Sequence, residues 1–267
     1  MSQDRWIARD LNEAVNWCKM RNKQGIRCVF DILGEFATNE VEVAKAVDGY
    51  LGLIDCIDDE GLNASVTIKL TALGALFDMT GCSECAVKIS KHSAKKKIGF
   101  EIDMEGRDLV QYTLEVAESC LVFNQNATLA LQAYLDRTAD DFVSLFEKGL
   151  RPRLVKGAYI GDTHDFTEIQ TRFKAQAEKA VARGSKLQIG THDPELIGWA
   201  KQRAGLDKGL VEFGFLKGLA DSTKIEMVEC GWSVCEYVPY GKNYAPYIGR
   251  RLKYLRNLEK LGRAPAP

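Results

Sequence analysis

The sequence predicts a (β/α)8 barrel, an α/β fold of parallel strands with an extra N-terminal helix, and three observations carry that prediction. Eight short apolar runs recur along 267 residues, each ending in or just before a polar residue with no evident structural duty. Most are separated by enough amphipathic sequence for one helix, and strand–helix alternation favours parallel strands joined by right-handed crossovers. The length is close to the roughly 250 residues of one such barrel. No low-complexity or proline-rich linker divides the chain, so residues 1–267 read as a single barrel domain.

Each element has its own justification. A helix over 9–22, with Leu11, Val15, Trp17 and Cys18 as its apolar positions, precedes the first strand and is expected to close the barrel bottom. Cys28–Leu33 then runs into Glu35, with a helix over 38–58. Val66–Ile68 runs into Lys69 (helix 83–94), Ile98–Ile102 into Asp103 (helix 107–121) and Thr128–Leu131 into Gln132 (helix 137–149). Leu154–Val155 runs into Lys156, with a helix over 164–182, and Leu187–Ile189 into Thr191 and His192, with a helix over 193–204. The last two are Leu210–Val211 into Glu212 (helix 217–229) and Ser233–Cys235 into Glu236 and Tyr237 (helix 244–260). Apolar residues at three- and four-residue spacing mark these helices. Thr38-Asn39-Glu40, Asp136-Arg137-Thr138 and Asp193-Pro194-Glu195 are expected to start helices, with Pro194 at a favoured early position. The tail Gly262–Pro267 is expected to fray. A doubly wound open sheet is the rival fold, but Gly34 stands alone where its GxGxxG turn would follow the first strand.

Composition narrows the function. A hydrophobic fraction of 46% and a charged fraction of 27% fit an ordinary globular protein, and 36 basic against 37 acidic residues give a net charge of −1. That balance argues against nucleic acid as the main partner. Eight cysteines sit in strand-like and helix-like runs, and MSQDRWIARD lacks the apolar stretch of a secretory signal, so reduced thiols in the cytoplasm are expected. Cys82 and Cys85 form a CxxC with no second pair, which reads as a helix-start coincidence before a metal or redox site; no metal site is expected. No run approaches the roughly 18–20 apolar residues of a membrane span.

A barrel gathers its strand ends on one catalytic face, so the scattered polar endings become one candidate site. Arg153, Lys156 and Gly157 place two cations and a permissive backbone beside one strand end, suiting a phosphate or an electron-rich ring; a solvated terminus with a glycine turn weighs about evenly against this. Arg250 and Arg251 open the last helix and suit a substrate carboxylate, against the commoner basic surface patch. Lys69 and Asp103 end neighbouring strands and should pair, or divide substrate binding and orientation between them; Lys69 could alternatively form a Schiff base if its pKa were depressed. His192 by itself reads as a hydrogen-bonded structural residue. Glu35 could bridge to Arg250 or Arg251 when the site closes.

Taken in order, Asp31-Ile-Leu-Gly-Glu35, Ile68-Lys-Leu-Thr-Ala-Leu-Gly74, Glu101-Ile-Asp-Met-Glu-Gly106 and Leu131-Gln-Ala-Tyr-Leu-Asp-Arg137 form the first half of a pattern. Arg153-Leu-Val-Lys-Gly-Ala-Tyr159, Thr191-His192-Asp193, Tyr237-Val-Pro-Tyr-Gly241 and Tyr247-Ile-Gly-Arg-Arg251 complete it. The pattern, spanning about residues 28–252, resembles the proline dehydrogenase family. The resemblance implies a (β/α)8 barrel that binds FAD and oxidises L-proline to Δ1-pyrroline-5-carboxylate. Carried over, it gives the carboxylate clamp to Lys69, Arg250 and Arg251, the ring walls to Leu216, Tyr237 and Tyr247, and the holding of the cations to Asp103. Arg153 would sit by the reactive edge of the isoalloxazine, with Met104, Gln132, Lys156, Gly157, Ala158, Thr191 and His192 lining the flavin and Glu35 as gate. A quinone acceptor, peripheral contact with the inner face of the membrane and a pyrroline-5-carboxylate dehydrogenase partner follow from the same resemblance. Gly190, Gly214 and Cys235 depart from the family's usual alanine, glutamine and arginine, and the changes at Gly214 and Cys235, which remove polar groups, bear on flavin affinity and the reach of the pocket. Another cyclic imino acid such as 4-hydroxyproline, or a barrel that binds without catalysis, are the alternatives.

Overall fold

Alternating side chains close the sheet on itself. The computed structural model describes residues 3–184, 186–205, 207–260, 262 and 264. Among them β1 (Arg27–Ile32), β2 (Ala64–Ile68), β3 (Gly99–Ile102), β4 (Thr128–Gln132), β5 (Arg151–Val155), β6 (Leu187–Gly190), β7 (Val211–Leu216) and β8 (Ser233–Tyr240) pair in chain order, and β8 returns to β1 in parallel. The helices are α1 (Leu11–Lys23), α2 (Glu40–Asp59), α3 (Met79–Lys96), α4 (Val110–Leu121), α5 (Thr138–Glu147), α6 (Phe166–Ala182), α7 (Pro194–Ala204), α8 (Asp221–Glu229) and α9 (Ala245–Lys260). The expectation for the tail falls outside the described residues apart from Gly262 and Ala264. No described helix is long and apolar enough to cross a membrane.

One face of each strand packs under the helices. Phe30, Phe100, Phe213 and Phe215 are fully buried there, each contributing about 1.5–3 kcal/mol of hydrophobic stabilisation. Asn39 and Asp193 cap α2 and α7 as expected, accepting from Glu42 N and Glu195 N. Asp136 does not cap α5; its carboxylate pairs with Arg172 instead.

The other face fills the bore with ions rather than hydrocarbon. Arg27 donates from Nε and Nη2 to the two carboxylate oxygens of Glu212, both at 2.8 Å, and from Nη1 to Ser65 Oγ at 2.6 Å. Glu101 accepts from Ser65 Oγ at 2.6 Å and from Arg153 Nη1 at 2.5 Å. Buried charges persist only when paired and hydrogen-bonded, and these four meet that condition on one another.

Two strand endings are corrected. β7 and β8 run further than the apolar runs suggested, because Gly214 and Pro239 break the pattern in their second halves. Glu212 is therefore the second residue of β7, deep in the bore, and Glu236 lies mid-strand.

The bottom-closing role of the first helix is also corrected. Ala8 N donates to Pro239 O and Gly241 N to Ala8 O, so the segment just before α1 lies beside the C-terminal end of β8. From there α1 descends along the outside of β8 and β1. Trp17 Nε1 donates to Glu236 at 2.5 Å, and Arg21 Nε lies 3.0 Å from the same carboxylate. The bottom of the bore opens instead into a cavity of about 660 Å³ lined by Arg27, Glu101, Gln188 and Glu212.

Glu236 and Lys224 are both completely buried in an ion pair between β8 and α8. Removing one partner of such a pair costs about 3–5 kcal/mol, because the other charge is left stranded. Glu236→Ala is accordingly expected to lower the urea midpoint sharply. An unchanged midpoint would mean that Asp221, 2.8 Å from Lys224, suffices alone.

Candidate active site

The C-terminal ends of β1, β2, β3, β5 and β8 bring five charged or phenolic groups into one cluster. Lys69 Nζ donates to Asp31 Oδ1 at 2.5 Å and to Tyr237 OH at 3.2 Å, and lies 3.5 Å from Asp103 Oδ2. Tyr237 OH donates to Asp103 Oδ2 at 2.5 Å, and Arg153 Nη2 donates to Asp103 Oδ1. Asp103 is thus the shared acceptor of two cations and a phenol. Burial pulls its pKa up, but Lys69 and Arg153 pull harder and hold it below the ordinary value. A carboxylate so held is a poor base and a good anchor. Burial works against the Lys69 ammonium, yet Asp31 and Asp103 overcome it and lift its pKa well above the usual value. That is the reverse of what a Schiff-base lysine requires, and it argues against lysine-dependent aldol chemistry.

Helix α9 lies across this mouth instead of packing outside β8. Trp6, Ile7, Leu33, Tyr247 and Ile248 form a small apolar cluster there, with Tyr237 packed against it. Tyr237, which packs against the cluster holding Tyr247, also accepts from Lys69 at 3.2 Å, so α9 and the end of β2 serve the same mouth. Arg250 makes a two-pronged ion pair with Glu35, one arm at 2.9 Å, and lies 4.9 Å from the centre of the Tyr159 ring. Arg251 is 3% exposed and donates from Nη2 to Lys217 O at 2.9 Å and Tyr247 OH at 2.8 Å. Its Nε and Nη1 are buried without a partner. Two orphaned donors on a buried cation cost free energy unless an anion completes them.

The β4–β6 ends are arranged more locally than expected. Gln132 donates to Glu105 O at 2.9 Å and accepts from Tyr134 OH at 2.7 Å and Ala158 N at 3.4 Å. Lys156 turns away from the bore to Asp193, at 2.7 Å, with its ammonium 3.9 Å from the centre of the Phe166 ring. Gly157 has φ +129°, and a Cβ there would come within 1.9 Å of the Tyr134 ring. His192 Nε2 accepts from Leu216 N at 2.9 Å, joining β6 to β7. Burial, with Arg251, Lys224 and Lys156 nearby, holds its pKa well below the ordinary value. It is a neutral acceptor, close to the structural role that a lone histidine suggested. Thr191 Oγ1 accepts from Asp193 N at 3.2 Å, and Met104 is 5% exposed within the main core. Cys82 is buried with its thiol on Leu70 O. The described residues contain no group of three or more metal-ligating side chains.

The sequence profile of the proline dehydrogenase family matches residues 14–254. The chain belongs to the proline dehydrogenase family. Proline dehydrogenase 2 of Bacillus subtilis (strain 168) is 33% identical over 251 residues, covering 91% of this chain and 82% of that one. Proline dehydrogenase 1 of the same organism is 27% identical over 256 residues, covering 93% and 85%. Among solved structures, proline utilization A from Bdellovibrio bacteriovorus inactivated by N-propargylglycine superposes with a TM-score of 0.84 at 21% identity. That match covers 93% of this chain and 32% of the longer one, and it bears on the fold.

Three residues of this candidate site escape a reading confined to strand endings. Asp31 and Glu101 sit on β1 and β3, each two residues from an inward position, Val29 and Asp103. Period-two alternation points them into the bore. Tyr159, stacked by Arg250, lies in a loop where no periodicity operates.

Proposed function

We propose that this mouth oxidises L-proline to Δ1-pyrroline-5-carboxylate with FAD as the hydride acceptor. The observation that carries the reading is Arg251, a buried guanidinium against Trp6 and Tyr247 with two donors that no group among the described residues satisfies. The residues present fit a flavin. Gly190 and Gly214 lie side by side in register next to Val155, leaving a strip of the bore wall without side chains. A Cβ on Gly214 would meet nothing closer than Cys235 Sγ at 3.5 Å, whereas one on Gly190 would come within 2.9 Å of Val155 Cγ1, so it is the departure at Gly214 that leaves room for a flat ring system. Arg153 supplies a fixed cation beside that strip; Gln132, Thr191 and His192 would border it, while Lys156 stands behind them on Asp193 and would act on the flavin only from outside the strip. FAD, when bound, supplies the electron sink that no side chain provides.

The chain's own residues do the rest. Lys69, Arg250 and Arg251 grip the carboxylate and convert binding into orientation. Tyr237, Tyr247 and Leu216 wall the pyrrolidine ring, and the Glu35–Arg250 pair over Tyr159 excludes water while the substrate is held. The same cations disfavour a further positive charge nearby, so the substrate is held with its amine neutral, its proton having passed to bulk water before the mouth closes. Asp103 keeps Lys69 and Arg153 in place throughout.

The test is direct: purified protein is expected to be yellow, and anaerobic proline to bleach its flavin absorbance. A colourless protein that ignores added FAD, or a yellow one untouched by proline, would overturn the reading. On the family resemblance alone we extend the proposal to one barrel over 1–267 acting in the cytoplasm at the inner face of the membrane. A quinone then takes the electrons and a pyrroline-5-carboxylate dehydrogenase the product.

A further inference from the structure

We propose that Asp31 is the positioning residue of the carboxylate clamp, fixing the place and the charge of Lys69 without touching substrate. The inference rests on the function proposed above. Asp31 is completely buried on the inner face of β1, and its Oδ1 lies 2.5 Å from Lys69 Nζ, the shortest contact that ammonium makes. Asp103, 3.5 Å away, is committed to Arg153 and Tyr237. Lys69 thus has one dedicated carboxylate and one shared with another cation.

The division has a chemical consequence. An ammonium on a flexible four-carbon stem, 4% exposed, holds neither its position nor its proton without a nearby anion. The groups facing Lys69 are Asp31 from β1, Tyr50 from α2, Asp103 from β3 and Tyr237 from β8. Glu105, Tyr159 and Tyr247 act on it from the loops after β3 and β5 and from α9. Among the described carboxylates around Lys69, Asp31 is the one whose cationic partner is Lys69 and no other, the Tyr237 hydroxyl being its second contact, while Glu105 is occupied by Thr71 N and Oγ1. Burial opposes the ammonium, and with Asp31 neutral the remaining attraction is that of the shared Asp103.

The experiment uses holoenzyme and cyclopentanecarboxylate, which has proline's ring shape and carboxylate but no nitrogen to oxidise, so binding is read apart from turnover. Asp31→Asn keeps a hydrogen-bond acceptor of the same shape and removes the charge. It is expected to weaken the probe about tenfold near neutral pH. The loss should deepen between about pH 8 and 10, a range over which wild type stays flat, as Lys69 gives up its proton early. A purely structural role for Asp31 would move neither the alkaline limb nor its midpoint. Lys69→Met and the double variant Lys69→Met/Asp31→Asn complete a cycle, and the double variant removes both buried charges together. Equal probe affinity in those two variants supports action through Lys69, even if Asp31→Asn alone does not fold. A further loss in the double variant overturns it, as does an Asp31→Asn enzyme with wild-type affinity and a flat alkaline limb. Wild type bleached by proline alongside an unaffected Asp31→Asn sinks this inference only; wild type that proline leaves unbleached sinks the proposed function itself.

Discussion

Replacing Arg251 by Met should raise the KM for proline about a hundredfold while the flavin stays bound. Methionine matches the length of the arginine stem, fills the space beside Trp6 and Tyr247, and deletes the charge. The wild-type guanidinium already satisfies Lys217 O and Tyr247 OH through Nη2, so its remaining donors, Nε and Nη1, are the ones available to a ligand. Losing a buried, charge-assisted contact costs about 2–5 kcal/mol, and about 1.4 kcal/mol is a factor of ten. Since the carboxylate is gripped equally before and during reaction, the loss belongs in KM, with kcat at saturation little altered. Steady-state kinetics on the yellow enzyme read this directly. A KM within twofold of wild type would remove Arg251 from the clamp.

Arg153→Met is expected to act on the opposite parameter. Its guanidinium is held from below by Glu101 and from the side by Asp103, with 7% exposure, so it is a fixed cation at the heart of the bore. Removing one such preorganised charge typically lowers kcat about 10²–10³-fold. The midpoint potential of the bound flavin should fall as well, because reduction adds negative charge that the cation would have stabilised. The variant should also change acid stability. In wild type Asp103 is depressed below its ordinary value, so its contribution is full above the unfolded pKa and is lost only as pH falls through the folded one. Without Arg153 that value rises and the acid loss begins at higher pH. Unchanged kcat together with an unchanged potential would dissociate Arg153 from the redox centre.

How far the site could be read depended on where each residue sits relative to strand periodicity. Lys69 and Asp103 were legible because each directly follows a short apolar run, where the chain enters the catalytic face, and Arg153 because it is a charge immediately before one. Alternation along β5 sends Lys156 to the opposite face from Arg153: it lies one residue past Val155, and its ammonium finds the N-cap of α7. Glu212 and Glu236 misled because glycine and proline concealed the second halves of their strands. Asp31 and Glu101 were hidden inside strands whose outward neighbours are wholly apolar, so nothing local distinguished a functional carboxylate from an interruption.

The sequence by itself determined the closed barrel, the order of its strands and the family, because period-two and period-3.6 patterning and contiguous motifs are local properties of the chain. Tertiary structure alone decided which charges share the bore. It sent α1 down the outer wall and laid α9 across the mouth, and it gave Asp103 two cations at once. It also left two donors of Arg251 without partners. Pairing of buried ions is settled by distances of a few ångströms between residues from 12 to 215 positions apart, and a strong short-range field in a low-dielectric interior leaves no trace in the spacing of residues along one strand.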